Sequence, residues 1–124
     1  MRRALLSFAA LVVLATTASC LSPTLPLPPP EHPDSVGQDM NGLWQISGTC
    51  DKGATVYVLN TATGLGAIFE DLKLHGTYHV AIGGNACDTI WVSQWTLDSG
   101  ESPPNAFVLE AWSSGGPTDP TSCQ

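Results

Sequence analysis

The chain reads as all-β, a small immunoglobulin-size sandwich of six to seven antiparallel strands. Three observations predict it. No apolar stripe of helical period runs for a useful length in the 124 residues. Short runs rich in Val, Thr, Ile and aromatic residues alternate in polarity instead, which is the period of a half-buried strand. Turn residues recur at short intervals, as in Asp51-Lys52-Gly53, Gly83-Gly84-Asn85 and Asp98-Ser99-Gly100, and such spacing marks a sandwich or a small barrel.

The first segment is an address. Arg2 and Arg3 precede an apolar run from Ala4 to Ala15, and Thr16-Thr17-Ala18-Ser19 lead to Cys20. The run is short of the ~20 residues of a bilayer span, and its basic and small-residue flanks suit an export signal. Cys20 falls where a bacterial lipoprotein is cut and acylated, so residues 1–19 are expected to be removed and Cys20 to carry the lipid. Ala18, Ser19 and Cys20 match the lipoprotein pattern and Thr17 replaces its preferred Leu; plain cleavage near Ala18 or Ser19 is the alternative. Leu21, where Asp would signal retention, directs the expectation to the outer membrane or cell surface.

Residues 20–41 form a proline-rich linker, with prolines at 23, 26, 28, 29, 30 and 33. Proline blocks helix and removes strand donors, which favours an extended polyproline II spacer. The segment reads as a stalk.

Residues 42–112 carry the domain. Leu43–Thr49 is its first strand, with Trp44 and Ile46 turned inward. Ala54–Asn60 sets Val56 and Val58 on one face, Thr55 and Tyr57 on the other. Gly66–Glu70 separates Ile68 from Phe69, and Leu72–Leu74 reads as a minor edge strand. Thr77–Ile82 groups Tyr78, Val80 and Ile82. Asp88–Leu97 groups Ile90, Val92 and Gln94, and Ala106–Trp112 groups Phe107, Leu109 and Ala111. Pro103-Pro104-Asn105 reads as the turn before the last strand, and residues 113–124 as a polar tail.

These residues carry a resemblance. Ile46-Ser-Gly-Thr-Cys-Asp-Lys-Gly-Ala-Thr-Val-Tyr-Val, then Gly76-Thr-Tyr-His-Val, then Asp88-Thr-Ile-Trp-Val-Ser-Gln-Trp-Thr-Leu-Asp-Ser-Gly-Glu-Ser-Pro-Pro follow the order and spacing of segments in bacterial Ig-like domains. Glu101 stands where that pattern usually has Asn. The resemblance implies a surface or periplasmic module for adhesion, spacing or ligand contact, with no catalytic residues to carry over.

Charge narrows the partners. Beyond Cys20 only Lys52 and Lys73 oppose eleven Asp and Glu, a formal charge of −9. Phosphate backbones and anionic lipid surfaces repel such a chain, which excludes nucleic acid and leaves lipid chains as the membrane attachment. No Gly-x-Ser-x-Gly elbow, phosphate loop or Cys-x-x-Cys metal spacing occurs, so neither an enzyme, a cofactor nor a metal is expected.

With Cys20 acylated, Cys50, Cys87 and Cys123 form an odd set for an oxidising compartment. Counting Leu72–Leu74 as a strand places Cys50 and Cys87 in turns at the same end, which favours a Cys50–Cys87 disulfide and leaves Cys123 free or in an intermolecular bond. Cys50–Cys123 or Cys87–Cys123 would instead pin the tail. The binding expectation rests on Trp91, Trp95 and Trp112, read as outward residues of neighbouring strands with Ser93 and Val108 between them. Exposed tryptophans on a flat sheet suit a protein partner, or a glycan in a small carbohydrate-binding domain; a structural spacer is the remaining alternative.

Overall fold

The computed structural model describes residues 25–113, 116–117 and 123. The export segment and Cys20 lie outside the described residues. The chain forms β1 (Ser35–Gln38), β2 (Trp44–Thr49), β3 (Thr55–Asn60), β4 (Gly66–Glu70), β5 (Thr77–Ile82), β6 (Thr89–Thr96), β7 (Gly100–Glu101), β8 (Asn105–Val108), β9 (Trp112–Ser113) and β10 (Gly116–Pro117). One sheet has the order β10-β9-β1-β2-β5. The other has β4-β3-β6, with β7 and β8 both along the far side of β6. Every pairing is antiparallel.

The alternation of the sequence sets the core. Trp44 and Ile46 of β2 and Tyr78, Val80 and Ile82 of β5 meet Val56 and Val58 of β3, Ile90 and Val92 of β6, and Phe107 and Leu109. A sandwich core of this kind is filled by the inward positions of both sheets. Gly48 is required beside Tyr78, because a Cβ there would stand 2.7 Å from the phenol oxygen. Burial pushes the Tyr78 hydroxyl well up, and that hydroxyl has no hydrogen-bond partner among the described residues.

Four expectations need correction. First, β1 lies inside the expected linker, and Leu27, Pro30 and Pro33 ahead of it are buried. The described part of the linker is docked, not a free stalk; β1 is hard to read because Val36 is its lone large apolar residue. Second, Leu72–Leu74 forms no strand. Asp71 gathers the stretch into a turn: its Oδ1 accepts the His75 N–H at 2.9 Å, and its Oδ2 accepts those of Gly76 at 2.7 Å and Gly53 at 3.1 Å. Third, the expected strand Ala106–Trp112 divides. β6 begins at Thr89, opposite Val108; Leu109 still exchanges backbone hydrogen bonds with Asp88 and Cys87 just ahead of it, and Trp112 pairs with Val36 in the other sheet. Within the expected tail, β10 pairs with β9.

Fourth, the disulfide joins Cys87 to Cys123, with Cα atoms 5.2 Å apart, and among the described residues Cys50 is the free thiol. With no strand at Leu72–Leu74, the count of ends is inverted. Register places Thr49 opposite Thr77 and Trp44 opposite Ile82, so the turn holding Cys50 and the turn holding Cys87 lie at opposite ends of β2. A six-residue strand spans about 20 Å, far beyond the ~7 Å reach of a disulfide between Cα atoms.

Three carboxylates hold the turns. Asp39 closes β1 to β2 by accepting the Leu43 and Asn41 N–H groups and the Gln45 amide. Asp88 accepts from the Asn60 amide and the Asn85 N–H, both at 2.8 Å. All three sit below the ordinary carboxylate value of 3.8: Asp39 chiefly through Leu43, Asp71 through Gly76, Asp88 through Asn60. A carboxylate whose pKa is lowered by folding adds stability that is complete above its unfolded value and is lost as pH falls through the folded one.

Two outcomes follow for equilibrium unfolding. Across a 36-residue separation, Cys123→Ser is expected to cost about 4 kcal/mol by the chain-entropy relation, and Cys50→Ser clearly less; equal losses would contradict the pairing. Unfolding free energy should hold nearly level down to about pH 5 and fall below about pH 4. Asp71→Asn should lower the plateau and make the acid limb shallower, and an unchanged limb would remove Asp71 from the account.

Candidate functional site

The outward positions of the second sheet assemble in three rows. Gly66, Leu59, Trp91 and Ala106 lie side by side across β4, β3, β6 and β8. Ile68, Tyr57 and Ser93 form the next row, and Glu70, Thr55, Trp95 and Glu101 the third. Successive rows stand two residues apart along each strand, ~7 Å, and cross-strand neighbours are near enough for side chains to touch. Ile68 is 67% exposed, Trp91 46%, and Trp95 and Leu59 39% each. Large apolar side chains thus line much of an open sheet face.

A local irregularity shapes this face into a groove. Glu101 pairs with Trp95 and Asn105 with Val92, so the β7–β8 strand carries one residue more than β6 between them. That is a bulge. Its extra length falls at Pro103-Pro104, which have no N–H for the ladder. Ser102 takes over the pairing: its N–H donates to the Gln94 carbonyl at 2.8 Å, and its Oγ accepts the Gln94 N–H at 3.0 Å. Pro103-Pro104 is therefore an interruption of one edge, not a turn between strands.

The groove has a volume of about 570 Å³ and runs between Ile68 and Leu59 on one side and Trp91, Glu101 and Pro104 on the other. Ser93 lies in its floor, 8% exposed although it points outward, and donates its hydroxyl to Glu101 Oε1 at 3.1 Å. The floor thus presents an oriented carboxylate beside an indole. Such a surface can bury a flat apolar group and hold a donor at its edge.

Of the expected face, Trp91 and Trp95 share the outer side of β6 two rows apart, and Val108 extends it as a half-buried neighbour opposite Thr89. Trp112 does not join them, because its strand belongs to the other sheet. Sequence reasoning missed Tyr57, Leu59, Ile68, Glu101 and Pro104. Alternation marked the first three as one side of their strands, but only the register sets them beside Trp91.

Cys50 offers no second reactive site. It packs against the core, and burial first, then the negative charges of Asp71 and Asp51, pushes its thiol up to about 11. At neutral pH it stays protonated, whereas nucleophilic and metal-binding cysteines act as thiolates. His79 Nδ1 shares a 2.7 Å hydrogen bond with Ser47 Oγ across β2 and β5. Among the described residues no group of three or more His, Cys, Asp or Glu side chains is arranged to hold a metal ion. No protein-family profile, no curated protein and no solved structure matches the chain.

Proposed function

We propose that this protein is a non-catalytic binding module, an exported and lipid-anchored Ig-like domain that docks a protein partner on the outer face of β4-β3-β6-β8. The observation that carries the proposal is the contiguous row set around the groove, with Trp91, Ile68, Leu59 and Trp95 all substantially exposed. Extended apolar patches on small domains mark interaction surfaces, and tryptophan is among the residues most enriched in binding hot spots.

Two further observations support the finer parts of the reading. The strand order β1-β2-β5 facing β4-β3-β6-β8 fits an Ig-like sandwich whose second sheet carries one added edge strand. The sequence before Cys20 supports export and acylation, and with two lysines against eleven acids beyond it, lipid chains must supply the membrane attachment. The same acidity steers the face toward neutral or basic partners.

A second reading has its own observation. Glu101 and Ser93 place polar atoms beside the Trp91 ring in the groove, and an aromatic platform with adjacent acceptors also suits a sugar ring. The test is a double substitution, Trp91→Ala with Trp95→Ala, on exposed positions where folding should survive by circular dichroism. Binding to intact cells and envelope fractions should fall at least thirtyfold, the scale of one hot-spot residue. Unchanged binding by the folded variant contradicts the face. Glycan-induced quenching of tryptophan fluorescence favours the sugar reading. Contacts that survive the tryptophan changes but are lost after a proline is placed in β4 favour edge-strand addition by a spacer module.

A further inference from the structure

The end of the sandwich opposite the disulfide turn holds a second arrangement, separate from the tryptophan face. Leu27, Pro30 and Pro33 are buried at intervals of three, and Val36 continues the interval into β1, while Pro28, Pro29, Glu31 and His32 between them are exposed. Three residues per turn is the period of a polyproline II helix, so one edge of such a helix faces the domain. This conformation makes no internal hydrogen bonds, which leaves its carbonyls in search of donors.

The domain supplies donors to the carbonyls of Pro28 and Pro30. Gln94 Nε2 donates to the Pro28 carbonyl at 2.9 Å, and Asn105 Nδ2 to the Pro30 carbonyl at 3.0 Å. Gln94 is 2% exposed. Its Oε1 accepts the Asp51 N–H at 2.8 Å, and Ser102 satisfies its backbone on both sides. The amide is therefore locked with its NH₂ turned to the segment. A cleft of about 230 Å³ separates the prolines from the turn at Thr49, Cys50 and Asp51. Two fixed donors on alternate carbonyls, with buried positions three apart, make a site that reads backbone conformation and the pattern Leu-x-x-Pro-x-x-Pro together.

We propose that this end is a recognition groove for proline-rich segments in the polyproline II conformation, filled in cis by residues 27–33, and that its second occupant is the same segment of another copy. The segment is a short arm. It meets β1 through Asp34, whose N–H donates to the Ser47 carbonyl at 2.8 Å, so it can lift without opening the β1–β2 ladder. Exchange of identical arms between two copies closes into a symmetric pair. While docked, the cis arm competes at millimolar effective concentration, and binding in trans is weakened by the fraction of grooves already filled.

The test uses the full chain and a synthetic peptide of residues 25–33. Leu27→Glu with Pro30→Glu should release the arm, and this variant should bind the peptide at least tenfold more tightly than the unaltered protein. Adding Asn105→Ala should reduce that binding at least tenfold. A folded variant that ignores the peptide at millimolar concentration overturns the proposal, as does binding indifferent to Asn105→Ala. If the double variant does not fold, nuclear magnetic resonance on the unaltered protein decides. The backbone amide signals of Leu27, Glu31 and His32 in the isotope-labelled chain should move to unfolded positions as excess unlabelled peptide displaces the arm, while the Gln94 and Asn105 side-chain amides keep their places on the peptide carbonyls; arm signals that stay in place, or Gln94 and Asn105 amides that shift to solvent-exposed positions, overturn it.

Discussion

The amide of Gln94 is the interaction on which one end of the molecule depends. It sits on an inward position of β6, in phase with Ile90 and Val92, where an apolar side chain would be expected. A buried amide left without partners costs ~1–3 kcal/mol. Here both its ends are used: the oxygen on Asp51 in the β2–β3 turn, the nitrogen on Pro28 in the segment before β1. Its backbone meets Ser102 across the bulged edge. Three pieces of chain distant in sequence converge on one residue, and each is fixed by satisfying it.

The opposite end follows the same rule with different residues. Asn60, fully buried at the end of β3, gives its nitrogen to Asp88 and accepts the Ala62 N–H on its oxygen. Trp44 donates its indole N–H to the Gly84 carbonyl at 3.0 Å. Close by, Cys87 takes a left-handed conformation with φ 72° and bonds to Cys123. So small a domain has little apolar core to spare. Polar closures at both ends and one disulfide complete what the core begins.

The strands were legible wherever alternation was clean. Val56 and Val58, Tyr78 through Ile82, and Ile90 with Val92 declare their faces in the sequence, and the outward setting of Trp91 and Trp95 follows from theirs. What was not legible depends on partners far along the chain. Gln94 could be placed on the inward face, but its Pro28 acceptor stands 66 residues earlier, and nothing local announces it. Leu72–Leu74 alternates like a strand and is folded into a turn by Asp71; that one error inverted the ends and misassigned the disulfide. Trp112 has the spacing of an outward residue but outruns the start of β6. The groove beside Trp91 needs an extra residue at Pro103-Pro104, visible in sequence only as an oddity. The docked arm also recasts the linker.

The proline-rich arm belongs to the fold because Gln94 requires it, a dependence that a double-mutant cycle would measure. Urea unfolding would be compared for the unaltered chain, the arm-releasing pair Leu27→Glu with Pro30→Glu, Gln94→Met, and their combination. Releasing the arm should cost about 1 kcal/mol more when Gln94 is present than in the Gln94→Met background, since only the amide loses a partner. Equal costs in the two backgrounds would contradict the account and return the arm to the status of a passive tether.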